Sequence, residues 1–247
     1  TLKSFFGFNA FKGQQDQIIL NILQGLDAFV IMPTGGGKSL CYQLPAIMSE
    51  GTAIVVSPLI ALMKNQVDAI RGFSQEQGIA HFLNSSLAKA EIIQVKKDVR
   101  AGKTKLLYVA PETLTKEDNI AFFKEFKISF FAIDEAHCIS EWGFDFRPAF
   151  LDTGMVRLLF PETPVMALTA TANQKVISDI KSVLKIPEAR VLSQAFLRSN
   201  LQYWKCETVP DVNTIVEWLQ LVNGPTLIYF RSRKKTQYWA NQLRLKG

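Results

Sequence analysis

Short apolar runs recur along the chain at Ala28–Met32, Ala53–Ser57, Leu106–Ala110, Ser129–Ile133, Val165–Thr169 and Thr226–Phe230, with another strand-like run at Arg190–Ser193. They are rich in β-branched and aromatic side chains and largely apolar on both faces, which predicts strands covered from both sides. Between them lie stretches with helical spacing, such as Gln15–Leu23, Leu59–Ile70, Leu87–Arg100 and Gln174–Leu184. Strand and helix in alternation predict an α/β fold with a mainly parallel central sheet and helices on both faces, a three-layer arrangement. After Ser193 the texture changes. Phe196–Glu207 reads as a crossing segment leading to a helix at Val212–Leu221, a strand at Thr226–Phe230 and a helix at Arg233–Leu245. One strand and two helices cannot cover a sheet on both faces, so 1–207 is expected to be one α/β domain and 208–247 the opening of a second.

Composition narrows the class. With 247 residues and 48% hydrophobic content the chain can bury a large core, and general disorder is excluded. Lys and Arg exceed acids by 28 to 22, a net charge of +6, which favours a polyanionic partner without identifying one. Cys41, Cys138 and Cys206 are far apart, with no C-x-x-C and two histidines in the chain, so neither a zinc site nor a disulfide framework is expected. No basic-then-apolar leader and no apolar run near about eighteen residues is visible, so an intracellular, cytoplasmic protein without a membrane span is expected. The chain starts at Thr1 rather than Met and stops after a helical pattern, and both ends are expected to lie inside a longer protein.

The first chemistry stands at Met32–Leu40, MPTGGGKSL, directly behind the run Ala28–Ile31. A strand that breaks into glycines and then a helix points backbone N–H groups at one spot, which suits phosphate oxygens. Thr34, Gly35, Gly36 and Gly37 would form the cradle, Lys38 would reach the β- and γ-phosphates of ATP, and the Ser39 hydroxyl would hold Mg²⁺. Met32 stands where the general phosphate-loop pattern has its first glycine.

The second stands at Asp134-Glu135-Ala136-His137, at the end of the run Ile128–Ile133. Carboxylates there emerge at the edge where parallel sheets bind ligands. Asp134 would hold the metal, Glu135 would orient and polarise the attacking water, and His137 would register the γ-phosphate.

Further along are FFGFNAFKGQQ at Phe5–Gln15, VVSPLIALMKNQV at Val55–Val67, DEAHCISEWGFDFRP at Asp134–Pro148, Thr169-Ala170-Thr171 and Leu227–Arg233. With these motifs in this order the chain resembles the RecQ-type DNA helicases of helicase superfamily 2 over essentially its whole length. The resemblance implies a RecA-like lobe followed by an incomplete second RecA-like lobe. It also implies an ATP-dependent helicase moving 3′ to 5′ on DNA, in repair and recombination. Within the first motif Gln15 would read the adenine edge, since a carboxamide both donates and accepts, while Phe8 would stack on the base. Lys12 stands in place of the family's arginine and lacks its planar fork. Ser57 and Lys64 would meet the backbone of single-stranded DNA. Trp142, Phe144 and Phe146 form an aromatic-rich loop, punctuated by Gly143, Asp145 and Pro148, that offers faces to bases; Arg147 would answer a phosphate. Phe144 replaces the family's usual histidine, and Arg231 its usual asparagine. Thr169 and Thr171 would couple hydrolysis to strand movement. The family's later motifs, including the arginines that reach the γ-phosphate from the second lobe, have no counterpart before Gly247, so this piece is expected to be limited to binding ATP, single-stranded and duplex DNA. Two rival readings stay open: a phosphate-loop ATPase acting on something other than nucleic acid, and a lone DNA-binding lobe without turnover.

Overall fold

The computed structural model describes residues 1–74, 76–143, 145–194, 205–207, 209–222 and 224–246. They fall into two units, Thr1–Phe196 and Leu197–Gly247.

The first unit is built on seven strands: β1 (Ala28–Ile31), β2 (Thr52–Val56), β3 (Ala80–Leu83), β4 (Leu106–Val109), β5 (Ile128–Ile133), β6 (Val165–Thr169) and β7 (Arg190–Ser193). All pair in parallel, in the order β3-β4-β2-β5-β6-β1-β7. The helices are α1 (Leu2–Phe6), α2 (Gln15–Leu23), α3 (Lys38–Met48), α4 (Ile60–Phe73), α5 (Lys89–Arg100), α6 (Glu117–Phe123), α7 (Met155–Leu159) and α8 (Gln174–Leu184).

The two-residue period of the strands sorts the core into two clusters. Phe29, Ile54, Val56, Phe131, Ile133 and Ala167 join one cluster, with Val99 of α5, Phe122 of α6 and Ile180 of α8. Their neighbours Val30, Val55, Phe130, Ala132, Met166 and Leu168 join the other, with Ile18 of α2, Tyr42 of α3 and Val67 of α4. A sheet apolar on both faces therefore lies between two helical layers, and the expected architecture is the one found. The predicted helices at Gln15–Leu23 and Gln174–Leu184 match α2 and α8 end for end.

Strand β3 was not read from the sequence. It is a four-residue edge strand, paired only to β4, with a histidine in the middle. His81 is accommodated by its neighbours: Arg71 donates to its Nδ1 at 3.0 Å, and its Nε2 lies 3.0 Å from Asp98 Oδ2. Arginine can only donate, so Nδ1 accepts and Nε2 carries the proton of a neutral ring. Burial, the largest cause, and the Arg71 charge hold His81 below the usual histidine range against the pull of Asp98.

The far side of the sheet is pinned by an ion pair. Arg157 of α7 donates through Nη2 to both oxygens of Asp27, at 2.6 and 2.5 Å, and Asp27 Oδ1 also accepts the Val165 N–H at 2.8 Å. The side chains are 19% and 24% exposed. Asp27→Ala would take the carboxylate from the guanidinium, leaving it the Pro161 and Thr163 carbonyls, and would leave the Val165 N–H without its acceptor, so a loss of about 2–3 kcal/mol is expected. Urea denaturation reads it as a lower midpoint at unchanged slope, and Asp27→Asn, which keeps an acceptor for Val165, is expected to lose less.

In the second unit α9 (Val212–Leu221) is capped by Asp211, which accepts the Thr214 N–H at 2.8 Å, and α10 (Arg233–Arg244) by Ser232. The strand expected at Thr226–Phe230 is not formed: the segment is irregular, with Leu227 81% and Tyr229 86% exposed. An apolar run becomes a strand only when a neighbour completes its ladder, and none of the described residues of this unit does so. The expected crossing segment lies outside the described residues except for 205–207.

Candidate functional site

Because the strands are parallel, their carboxyl ends bring β1, β2, β5 and β6 to one edge. Ile31 is in register with Thr169, Val56 with Ile133, and the Met32 N–H donates to Thr169 O at 3.1 Å. The phosphate-loop candidate, the acid box and Thr169 thus become neighbours although they are far apart in sequence.

After β1 the chain turns through Gly35 (φ 79°) and Gly37 (φ 85°), a backbone region that side chains other than glycine rarely adopt. A Cβ on Gly37 would also collide with the Gln15 amide. Gly37 caps α3 without a side chain, so no side-chain acceptor covers the first N–H groups of that helix. Thr34 is exposed in the turn itself, and Ser39 is half-buried in the first turn of α3.

Gln15 is 2% exposed, and its amide holds the turn in place. Its Oε1 accepts the Lys12 N–H at 2.8 Å, and its Nε2 donates to the carbonyls of Gly36 and Gly37, each at 3.3 Å. The residue expected to read an adenine therefore also joins the first motif to the phosphate loop, a tie no local pattern announces. Phe8, 48% exposed, lies parallel to Phe6 and lines a cleft with Lys12, Gln15, Gly35 and Gly37.

At the end of β5 Asp134 is 6% exposed and accepts the N–H of Glu135 at 3.0 Å. Burial pushes its carboxyl up to about 6, with Lys38 opposing and Glu135 adding to the rise. A carboxylate this deeply buried fits a cation site, because a bound cation would supply the compensation that water no longer does. Glu135 has a left-handed backbone (φ 50°), which swings its side chain toward Lys38, whose Nζ lies 3.2 Å from Oε1. Its other oxygen is 3.3 Å from His137 Nδ1. The hydrogen bond from His137 and the charge of Lys38 hold Glu135 below the usual carboxylate range. The two adjacent acids are thus driven in opposite directions.

From His137 the contacts continue. Nδ1 is 3.1 Å from Thr169 Oγ1, and that hydroxyl donates to Thr171 O at 3.1 Å. With its proton given to Thr171, the hydroxyl accepts, so the histidine proton is assigned to Nδ1. Lys38, Glu135, His137, Thr169 and Thr171 form one continuous line. His137, Cys138 and Asp145 also lie close enough to hold an ion. Asp145, however, already pairs with Arg147 at 2.9 Å, and burial pushes the Cys138 thiol up to about 12, far from the thiolate a metal needs.

Among the residues expected to meet DNA, Trp142 is 62% exposed on its loop, Phe146 is half-buried, and Phe144 lies outside the described residues. Arg147 is committed within the protein: besides Asp145, its Nη1 donates to Pro58 O at 3.2 Å, fastening the aromatic-rich loop to the β2–α4 connection. Lys64 is exposed on α4 and Thr171 is exposed before α8. Ser57 is 2% exposed, its hydroxyl buried. A contact from that hydroxyl to DNA is therefore not available in this arrangement.

Sequence reasoning missed three residues that hold the loop. Ser140 Oγ donates to Asp179 Oδ2 of α8 at 2.6 Å and accepts the Trp142 N–H at 3.2 Å, while Lys175 of α8 sits over the Trp142 ring. Lys175 and Asp179 are four apart and so share a helix face, which was the available signal.

Compared with known proteins, residues 12–180 match the profile of the family described as DEAD/DEAH box helicase. The chain is 42% identical along its whole length to the ATP-dependent DNA helicase RecQ of Haemophilus influenzae. It is 38% identical over 98% of its length to the probable ATP-dependent DNA helicase RecS of Bacillus subtilis. It spans 39% and 48% of those relatives' lengths. Among solved structures, the DUF1998 helicase MrfA aligns with 99% of the chain and 40% of its own at a TM-score of 0.68 and 18% identity. A hypothetical ATP-dependent RNA helicase of Sulfolobus tokodaii aligns with 76% of the chain and 54% of its own at 0.57 and 20% identity. At such identities the likeness is one of fold, and it is the fold of helicase RecA-like domains.

Proposed function

The chain belongs to the DEAD/DEAH box helicases, and from that premise we propose that 1–207 is the ATP-binding motor lobe of a RecQ-type ATP-dependent DNA helicase and 208–247 the opening of its second lobe. The observation that carries the reading is the line Lys38–Glu135–His137–Thr169–Thr171, which joins a phosphate cradle to a water-activating acid and then to the surface beside the aromatic-rich loop.

ATP would enter with its adenine between Phe8 and Gln15, the amide exchanging its protein contacts for the base edge. The triphosphate would lie on the N–H groups of Gly35–Ser39, with Lys38 against the β- and γ-phosphates. To do so Lys38 must leave Glu135. Glu135, freed and ionised, would then take the proton of the water that attacks the γ-phosphorus. His137 keeps one contact to Glu135 and one to Thr169, so a change at the γ-phosphate would reach Thr171 through two hydrogen bonds. Ser39 and Asp134 would hold magnesium, which when bound would neutralise charge on the phosphates. Trp142 and Phe146 would stack bases of one DNA strand, with Lys64 near its backbone. Translocation 3′ to 5′, unwinding, a role in DNA repair and recombination and an intracellular location belong to the proposal for the whole protein. Among the described residues no helix is long and apolar enough to cross a membrane.

Single-turnover ATP cleavage, measured with and without single-stranded DNA, tests the reading. Stimulation by DNA is expected. Cleavage indifferent to DNA would favour an ATPase of another kind, and DNA binding without cleavage would favour a lone binding lobe. Trp142→Ala is expected to weaken oligo(dT) binding at least about fivefold at unchanged melting temperature, since a stack is worth about 1–3 kcal/mol and the ring is exposed. Phe146→Ala is expected to lower both quantities, because its ring is half-buried.

A further inference from the structure

We propose that Lys175 is a nucleic-acid contact of this lobe: its ammonium covers the indole of Trp142 in the unbound protein and passes to a phosphate of the strand when a base takes the ring. The inference rests on the reading of Trp142 as a stacking platform for single-stranded DNA.

Lys175 Nζ lies 3.0 Å from the centre of the Trp142 ring, although the lysine stands in the first turn of α8 and the ring on the loop. The arrangement is built. Ser140 fastens the loop backbone to Asp179, one turn further along the same helix face. Next in the chain, a Cβ on Gly143 would run into the His137 carbonyl, so the loop is closely folded on itself at this point. With its backbone held to α8, the ring turns one face to that helix, and this is the face the ammonium covers.

Trp142 also lines an open cleft of about 370 Å³, together with Thr171, Asn173 and Val176. A base that stacks on the covered face needs the position the ammonium now holds, so on that face the two are mutually exclusive. The ring offers the ammonium only a quadrupole, and among the described residues no carboxylate forms an ion pair with Lys175. A strand that brings a base to the ring also brings its phosphates within reach of the four-carbon stem. The lysine then exchanges a weak partner for a full charge. In the unbound protein the same ammonium shields one face of the ring, while Trp142 as a whole stays 62% exposed. Because α8 follows directly on Thr169–Thr171, the exchange takes place on the helix that begins where the line from the acid box ends.

The test is a titration of fluorescent oligo(dT) with the 247-residue chain at several salt concentrations, for the parent, Lys175→Met, Lys175→Arg and Trp142→Ala. Losing one phosphate contact is expected to reduce the slope of log affinity against log salt by about 0.7 in Lys175→Met. That corresponds to about eightfold weaker binding at about 50 mM salt and about threefold at about 200 mM. Lys175→Arg is expected to restore the slope. In the absence of DNA, Lys175→Met is expected to change the component of the indole emission that Trp142→Ala removes. An unchanged slope in Lys175→Met, with Trp142→Ala still weakening binding, would overturn the role of Lys175 and leave the platform standing. Unchanged binding in Trp142→Ala would remove the platform and the inference with it.

Discussion

Lys38→Ala is expected to weaken ATP binding by roughly 30-fold to several-thousand-fold while the protein stays folded. Lys38 is the cation of the glycine turn proposed to hold the phosphates, and its side chain is 13% exposed, so its charge acts across a medium that screens it poorly. Truncating one partner of such a desolvated pair costs about 2–5 kcal/mol, which sets the range. The fold is expected to survive because Glu135, the partner left behind, still has His137 at 3.3 Å. Because its side chain is largely buried, a melting temperature lower by a few degrees belongs to the prediction. Titration of a fluorescent ATP analogue against both proteins decides it. Equal affinities would remove the phosphate-loop assignment, and with it the proposed role of the whole edge.

Glu135→Gln is expected to lower the rate of ATP cleavage by about 10²–10⁴ while nucleotide binding is kept or tightened. The amide keeps the size and a hydrogen-bonding oxygen but cannot take a proton. It also no longer holds Lys38, and it removes a negative charge facing the phosphates. Glu135 is held below the usual carboxylate range by His137 and Lys38, so its own titration should not shape the rate near neutral pH. Asp134 is the group that should. Pushed up to about 6 by burial, it is protonated and unable to hold a cation below that pH and charged above it. Cleavage is therefore expected to fall as the pH drops through about 6, and to recover there as magnesium is raised, because a cation favours the ionised form. Single-turnover phosphate release measures both effects. A Glu135→Gln protein that cleaves at the parent rate would mean that another group activates the water.

The parts of the site legible in the sequence are those whose meaning is local. A strand running into three glycines, a lysine and a serine has one geometry wherever it is placed, and Gly35–Ser39 adopt it. An apolar run ending in two acids puts them at the carboxyl edge of a parallel sheet, where Asp134 and Glu135 are found. The loop reading of Trp142 also rested on local punctuation, by Gly143, Asp145 and Pro148, and the ring is exposed. The failures share one cause. Strand β3 is recognisable only when β4 lies beside it and Arg71 and Asp98 meet its histidine. The segment at Thr226–Phe230 has the composition of a strand and, among the described residues, no neighbour to complete it. Ser57 was expected to contact DNA from the motif it stands in, and its burial is a property of its surroundings.

The sequence by itself determined six of the seven strands of the first unit and the helices α2, α4, α5 and α8, because hydrophobic periodicity and glycine placement act over a few residues. It also singled out the side chains to which the proposal gives the chemistry. Tertiary structure alone decided which of them meet. Lys38 and Glu135 are 97 positions apart and pair at 3.2 Å, His137 and Thr169 are 32 apart, and Arg147 reaches Pro58 across 89. Such pairings depend on strand order and on which edge each loop leaves, information that belongs to the whole sheet and to no local segment. The opposite shifts of Asp134 and Glu135 have the same origin: neighbours in sequence, they differ because one is buried and the other is held by a lysine and a histidine that the sheet brings to it.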